Sequence, residues 1–169
     1  MQKYLILSAM GKDRPGLSNK ISNIISSNNA YIELKRAYTL GGDFTIICLI
    51  RTKGDPSSII AKIDQLKSNE LNIAIKETNE DNYLDEGGYT LAIKGSEHTE
   101  VFEKITFLIY KNGFNIRTLE YETTNAPMSG SKLFNLSVNF IPLKDSDILK
   151  LKEDLSGIER TYNLDISYI

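Results

Sequence analysis

Tyr4-Leu5-Ile6-Leu7-Ser8-Ala9-Met10-Gly11-Lys12-Asp13-Arg14-Pro15-Gly16-Leu17 is the stretch whose reading decides the fold. Residues 4–10 are an apolar run of strand length that stops at a glycine. Leu17, Ile21, Ile24 and Ile25 then recur at i, i+4, i+7 and i+8, one face of a helix that closes near Asn28-Asn29. Further out, residues 31–40 are extended in pattern and Gly41-Gly42-Asp43 signals a tight turn. Phe44, Ile46, Cys48 and Ile50 alternate behind it with Thr45 and Ile47. Asp55-Pro56-Ser57 opens a second helix carrying Ile59, Ile60, Ile63 and Leu66, and Leu71, Ile73 and Ile75 alternate as a last strand. The order is βαββαβ.

The same order returns about 84 residues later, so the chain is an internal repeat. Residues 89–94 form a strand, and Val101, Ile105, Leu108 and Ile109 repeat the helical spacing. Asn112-Gly113-Phe114-Asn115-Ile116 stands where Asn28-Asn29-Ala30-Tyr31-Ile32 stood. Phe134, Leu136, Val138 and Phe140 alternate with Asn135, Ser137 and Asn139 in place of the Phe44 strand. Ile148, Leu151, Leu155 and Ile158 supply the second helix, and Leu164, Ile166 and Tyr168 close the copy. Between the copies, Asn79-Glu80-Asp81-Asn82-Tyr83-Leu84-Asp85-Glu86-Gly87-Gly88 is acidic and ends in glycine, which is linker composition. The expected division is a domain over residues 1–79, a linker over 80–88 and a second domain over 89–169.

A βαββαβ order implies an α+β, ferredoxin-like split βαβ unit, an antiparallel sheet with both helices on one face. The other sheet face is left bare. A copy of roughly 80 residues buries only about 60 to 65% of its extended surface, so pairing of the copies, or a homodimer, is expected to cover edges and bare sheet. Ligand sites then arise at the seams.

Composition narrows the function classes. Twenty Lys and Arg against 22 Asp and Glu give a net charge of -2, which supplies no excess of positive charge for phosphates and disfavours direct nucleic-acid binding. The single cysteine, Cys48, alternates with apolar strand residues and reads as core; the single histidine, His98, has no partners at metal-ligand spacing. The N-terminal residues show neither a long apolar segment nor a cleavage pattern, so a cytoplasmic protein away from membranes, without a cofactor, is expected. Asn135, Ser137 and Asn139 read either as a wet sheet face or as a polar binding surface.

The chemistry concentrates in Gly11, Lys12, Asp13, Arg14, Pro15, Gly16 and Leu17. Pro15 suits a first helical turn, Gly16 leaves room for close approach, and the free N–H groups there suit a carboxylate. Each charge-assisted bond is worth about 1.5 to 3 kcal/mol and the helix dipole about 0.3 to 1 more, which matches the 4 to 8 kcal/mol or so of a micromolar to millimolar metabolite. The alternative is that Asp13 and Pro15 merely cap and start the helix. The second copy has Gly95-Ser96-Glu97-His98-Thr99-Glu100 there, without Pro or Gly at the helix start and with two carboxylates where a ligand's would sit; Ser96 or Thr99 can cap instead. A structural or partner-facing role is expected for it.

The segment from Gly11 to Leu17 after the Tyr4-Leu5-Ile6-Leu7 strand resembles an ACT domain, and the tandem pair resembles the glycine cleavage system transcriptional repressor family. Leu40-Gly41-Gly42-Asp43-Phe44-Thr45 resembles that family's first hairpin, and Ala126-Pro127-Met128-Ser129-Gly130 with Leu133-Phe134 resembles the insert and strand of its second domain. The resemblance implies two tandem ACT domains that bind a small amino acid, glycine or similar, where the first loop of one domain faces the start of strand two of a neighbour. The facing positions would be Asn115, Ile116 and Arg117, or Asn29, Ala30, Tyr31 and Ile32 from another subunit. It also implies a DNA-binding or other regulatory protein as partner, since no basic stripe is present. Other classes are a ligand-free interaction scaffold, an acylphosphatase-like hydrolase using Arg14 with Asn135 or Asn139, and an RNA-binding module. The hydrolase lacks a phosphate cradle and a nucleophile with its base, and the RNA module lacks exposed aromatics on the Phe44 strand.

Overall fold

The computed structural model of the chain describes residues 2–79, 88–127 and 130–169. The chain divides into two compact units, Met1–Asp85 and Glu86–Ile169. The linker expected over 80–88 lies, apart from Gly88, outside the described residues, as do Met128 and Ser129 of the expected insert.

The first unit runs β1 (Gln2–Lys12), α1 (Leu17–Ser27), β2 (Ala30–Leu40), β3 (Asp43–Lys53), α2 (Ser57–Asp64) and β4 (Leu71–Thr78). Its sheet has the order β2-β3-β1-β4 with every neighbouring pair antiparallel. The alternation read from the sequence sorts the strands: Leu5, Leu7, Ala9, Ile46, Cys48, Ile50, Leu71 and Ile73 point to one face. There they meet Leu17, Ile21, Ile25, Ile59 and Ile63 of the two helices in one apolar cluster. Cys48 is buried within it, and burial pushes its thiol up from the ordinary value, as befits a packing residue.

The second unit repeats the plan with β5 (Tyr89–Ser96), α3 (Val101–Lys111), β6 (Phe114–Asn125), β7 (Lys132–Pro142), α4 (Ile148–Tyr162) and β8 (Asp165–Tyr168). Its sheet order is β6-β7-β5-β8, again antiparallel throughout. A separate cluster built on Leu91, Ile93, Ile105, Ile109, Phe134, Leu136, Val138, Phe140, Leu151 and Leu155 forms its core. Two tandem ferredoxin-like βαββαβ units with helices on one sheet face are therefore the architecture.

The repeat extends to irregularities that hydropathy does not show. Both β2 and β6 carry a bulge, between Ile32 and Leu34 in one and between Ile116 and Thr118 in the other. A bulge reverses the alternation beyond it. Leu34 therefore shares the open face with its cross-strand neighbour Leu49, while Lys35 turns to the helix side and donates to Ser18 and Ser22 of α1.

Candidate functional site

The site begins where β1 hands over to α1. Lys12 N–H donates to the Glu70 carbonyl at 3.0 Å and Asp13 N–H to the Gly42 carbonyl at 3.4 Å, tying the loop to the start of β4 and to the β2–β3 turn. Arg14, Pro15, Gly16 and Leu17 then form a turn closed by Leu17 N–H on the Arg14 carbonyl at 3.2 Å. Proline at its second position and Gly16 at φ 84°, ψ 0° at its third define a type II turn. The first helical bond follows, Lys20 N–H to the Gly16 carbonyl at 2.9 Å. Pro15 thus stands in the turn before the helix, not in its first turn as expected from the sequence, because the third turn position demands a left-handed conformation that glycine adopts most readily and the helix begins only after it.

No side chain caps α1 and no acid lies in its first turn. Asp55, by contrast, accepts from Ser57 N–H before α2, and Asp147 accepts from Lys150 N–H at α4. The N–H groups of Arg14, Gly16, Ser18 and Asn19 find no acceptor among the described residues. The donors differ from the expected set: Asp13 and Leu17 are spent internally and Pro15 has none, while Ser18 and Asn19 join. Beside them lies a cavity of about 90 Å³ lined by Arg14, Pro15, Leu17, Lys20, Leu66 and Leu71, with an apolar floor and a cationic rim. Such a volume holds a few waters or a small solute.

The two glycines of the loop serve different ends. A Cβ on Gly11 would stand 2.0 Å from the Glu70 carbonyl oxygen, so Gly11 is the price of close approach by the chain entering β4. A Cβ on Gly16 would meet nothing within 4 Å, so there the backbone conformation is the requirement. The Arg14 guanidinium pairs with the Glu70 carboxylate, and Asp13 accepts from the Thr39 hydroxyl at 3.4 Å. Glu70, Thr39, Lys20 and Leu66 are residues that sequence reasoning missed; Lys20 lies one turn into α1, whereas Glu70, Thr39 and Leu66 are distant along the chain and reach the loop only through the tertiary fold.

Within one chain, the residues expected to face the loop from another subunit stand away from it. Asn29, Ala30, Tyr31 and Ile32 follow the far end of α1, an 11-residue helix about 16 Å long. Ala30 is buried and Ile32 packs on the core, so neither offers its side chain; Tyr31 is exposed, with the Arg51 guanidinium 4.7 Å from its ring centroid. In the second unit Asn115 is exposed, Ile116 packs on that unit's core and Arg117 is half-buried at the bulge.

The second unit's corresponding loop keeps a similar backbone hydrogen-bond scaffold. Glu97 N–H bonds the Lys132 carbonyl, Val101 N–H the His98 carbonyl and Lys104 N–H the Glu100 carbonyl. Glu100 has φ -90° and ψ -15°, a type I turn, in which the central peptide is flipped relative to type II. Neither Ser96 nor Thr99 caps α3, contrary to expectation. Instead the Glu100 carboxylate pairs with Lys104 at 2.6 Å, and Lys104 also donates to the Tyr162 hydroxyl. That bonding holds the Glu100 carboxyl below the usual range and raises Lys104. Among the described residues no group of three His, Cys, Asp or Glu is placed to hold a metal, and no helix is long and apolar enough to cross a membrane.

Residues 3–76 match the family model described as the ACT domain. Over 74 residues the chain is 38% identical to the glycine cleavage system transcriptional repressor of Escherichia coli (strain K12), and equally to that of Shigella flexneri; the match takes in 44% of this chain and 39% of each relative. The chain thus matches well under two thirds of the length of these curated relatives. Among solved structures, that of an unknown protein from Galdieria sulphuraria superposes with a TM-score of 0.82 at 26% identity, over 99% of this chain and 98% of that one. A crystal structure provisionally assigned as a glycine cleavage system transcriptional repressor superposes with a TM-score of 0.67 at 20% identity, over 100% and 97%, a likeness of fold.

Proposed function

On the premise that residues 3–76 form an ACT domain and that the second unit repeats its fold, we propose that this chain senses a small amino acid and passes the signal to a partner protein. The observation that carries the reading is the uncapped start of α1, with backbone donors at Gly16, Ser18 and Asn19 beside the cavity rimmed by Arg14 and Lys20. Main-chain N–H groups at a helix N-terminus suit the ligand's carboxylate, and the Lys20 ammonium adds charge. Asn115, Ile116 and Arg117, or Asn29 to Ile32 of a second subunit, are proposed to supply the wall facing the loop.

The likeness to the bacterial repressors supports glycine or a similarly small amino acid as effector and control of transcription as output. An effector acts only by binding two states differently, so a change in affinity for a DNA-binding or other regulatory partner is the output this proposal requires. A net charge of -2 favours a partner, rather than this chain, as the DNA-contacting component.

Thermal-shift measurements against the twenty amino acids test the reading. A binder at 100 times its dissociation constant stabilises by about 2.7 kcal/mol, a clear rise in midpoint. Gly16→Asn keeps the left-handed conformation and meets no atom within 4 Å, yet places an amide over the donors, so it is expected to abolish the response with the fold intact. If no amino acid shifts the wild-type midpoint, the sensor reading fails and an interaction scaffold takes its place.

A further inference from the structure

The two sheets differ on the face their helices leave open. In the first unit the cross-strand rows there read Leu34, Leu49, Ile6 and Lys76; then Arg36, Ile47, Ser8 and Ala74; then Tyr38, Thr45, Met10 and Asn72. In these three rows the charges stand on the two edge strands and the central strands β3 and β1 carry Ile47, Leu49, Ile6 and Met10, while Arg51 of β3, in the next row with Tyr31, Tyr4 and Thr78, places a charge at one end of the face. Ile47 is 47% exposed, Leu34 40% and Met10 55%, large values for apolar residues on a central sheet surface. Among them lies an apolar cavity of about 190 Å³ lined by Ile6, Leu34, Ile47 and Leu49. In the second unit the corresponding rows read Glu120, Ser137, Ala92 and Ser167; then Glu122, Asn135, Lys94 and Asp165. That face is polar throughout its middle.

We propose that the open face of the first sheet is the dimer interface of this protein, packed sheet on sheet against the same face of a second copy. A two-fold pairing sets each patch against itself, which an apolar centre with a polar rim tolerates. The second unit's face is the wrong complement, since covering it with Leu and Ile would strip its amides and carboxylates of water without giving them partners. Size agrees. Three strands of 11 residues and one of 8, at about 3.4 Å per residue and about 4.8 Å between strands, give roughly 650 Å² per copy, or about 1,300 Å² for the pair, within the range of stable interfaces. Two such sheets pack about 10 Å apart with strands inclined near 30°, so their side chains interdigitate and fill the cavity. The bulge in β2 is what turns Leu34 onto this face.

Sedimentation equilibrium of the full chain tests the interface, independently of any amino-acid ligand. The wild type is expected at twice the 19.0 kDa chain mass. Ile47→Glu is expected to raise the dimer dissociation constant about 100-fold or more, with far-ultraviolet circular dichroism unchanged because the side chain is half-exposed in the single chain. Leu34→Lys provides a second variant on an edge strand, and Ser137→Glu on the polar sheet is expected to leave the mass unchanged. A wild type that stays monomeric at its highest soluble concentration overturns the proposal, as does a dimer that survives both Ile47→Glu and Leu34→Lys. A thermal response to an amino acid that persists in monomeric Ile47→Glu separates this interface from the sensor reading.

Discussion

Gly11, near the end of β1, and Gly16, in the turn before α1, are five positions apart, and their substitution is expected to fail for unrelated reasons. Gly11→Ala drives a methyl into the Glu70 carbonyl, a backbone atom that cannot swing away, so a loss of about 1 to 3 kcal/mol is expected from overpacking. Gly16→Ala meets open space and suffers only from φ 84°, with an expected loss of about 1 kcal/mol, and Gly16→Asn loses less. Urea unfolding of the three variants ranks them. The sequence signals the end of a strand at Gly11, which the structure carries on to Lys12, and a turn before a helix at Gly16. It does not signal that β4 runs against Gly11, because Glu70 is far away along the chain and reaches the loop only through antiparallel pairing of β1 with β4.

Among the elements, α1 and α3 share a buried stripe and differ at their first residues. Ile21, fully buried in α1, is expected to cost about 2 to 5 kcal/mol on truncation to alanine, whereas Ile24, only partly buried, costs less; denaturant midpoints decide the order. That stripe was legible as a period of 3.6 residues. At the start of α3 the ion pair of Glu100 with Lys104 is exposed, so it acts modestly but with a definite sign. The Glu100 carboxyl is lowered in the folded chain, so its contribution is present above the ordinary carboxylate value and disappears as pH falls through the lowered one. Glu100→Gln should therefore have a lower thermal midpoint than the wild type at neutral pH, with the gap closing in acid. The pair was not read from the sequence, where Glu100 stood as a charge opposing a ligand; its i,i+4 partner Lys104 is local to α3, and only the added contact with Tyr162 depends on α4 packing beside α3.

For the molecule as a whole, each unit holds its own apolar cluster and the two clusters share no residue. Ile46→Ala in one and Leu136→Ala in the other are fully or nearly fully buried sites without common partners, so their losses are expected to add within about 0.5 kcal/mol in a double variant. Calorimetry of the three variants checks this, and a strong coupling would mean that the two cores do not contribute independently to stability. The open faces of the two sheets are a property of this scale as well, one apolar and one polar on the same repeated frame.

What the sequence determined by itself is the duplicated βαββαβ order, the residues of both cores and the loop of residues 11–17 as the exceptional turn. Those follow from local rules, since the period of apolar residues and the demands of glycine and proline act within a few positions. The tertiary structure alone decided which N–H groups of that loop remain free, why Gly11 must be glycine and which side chains lie on the open face of the first sheet. Each of these depends on strand pairing over long sequence distances, and a single bulge in β2, invisible to hydropathy, is enough to exchange the two faces of the residues beyond it.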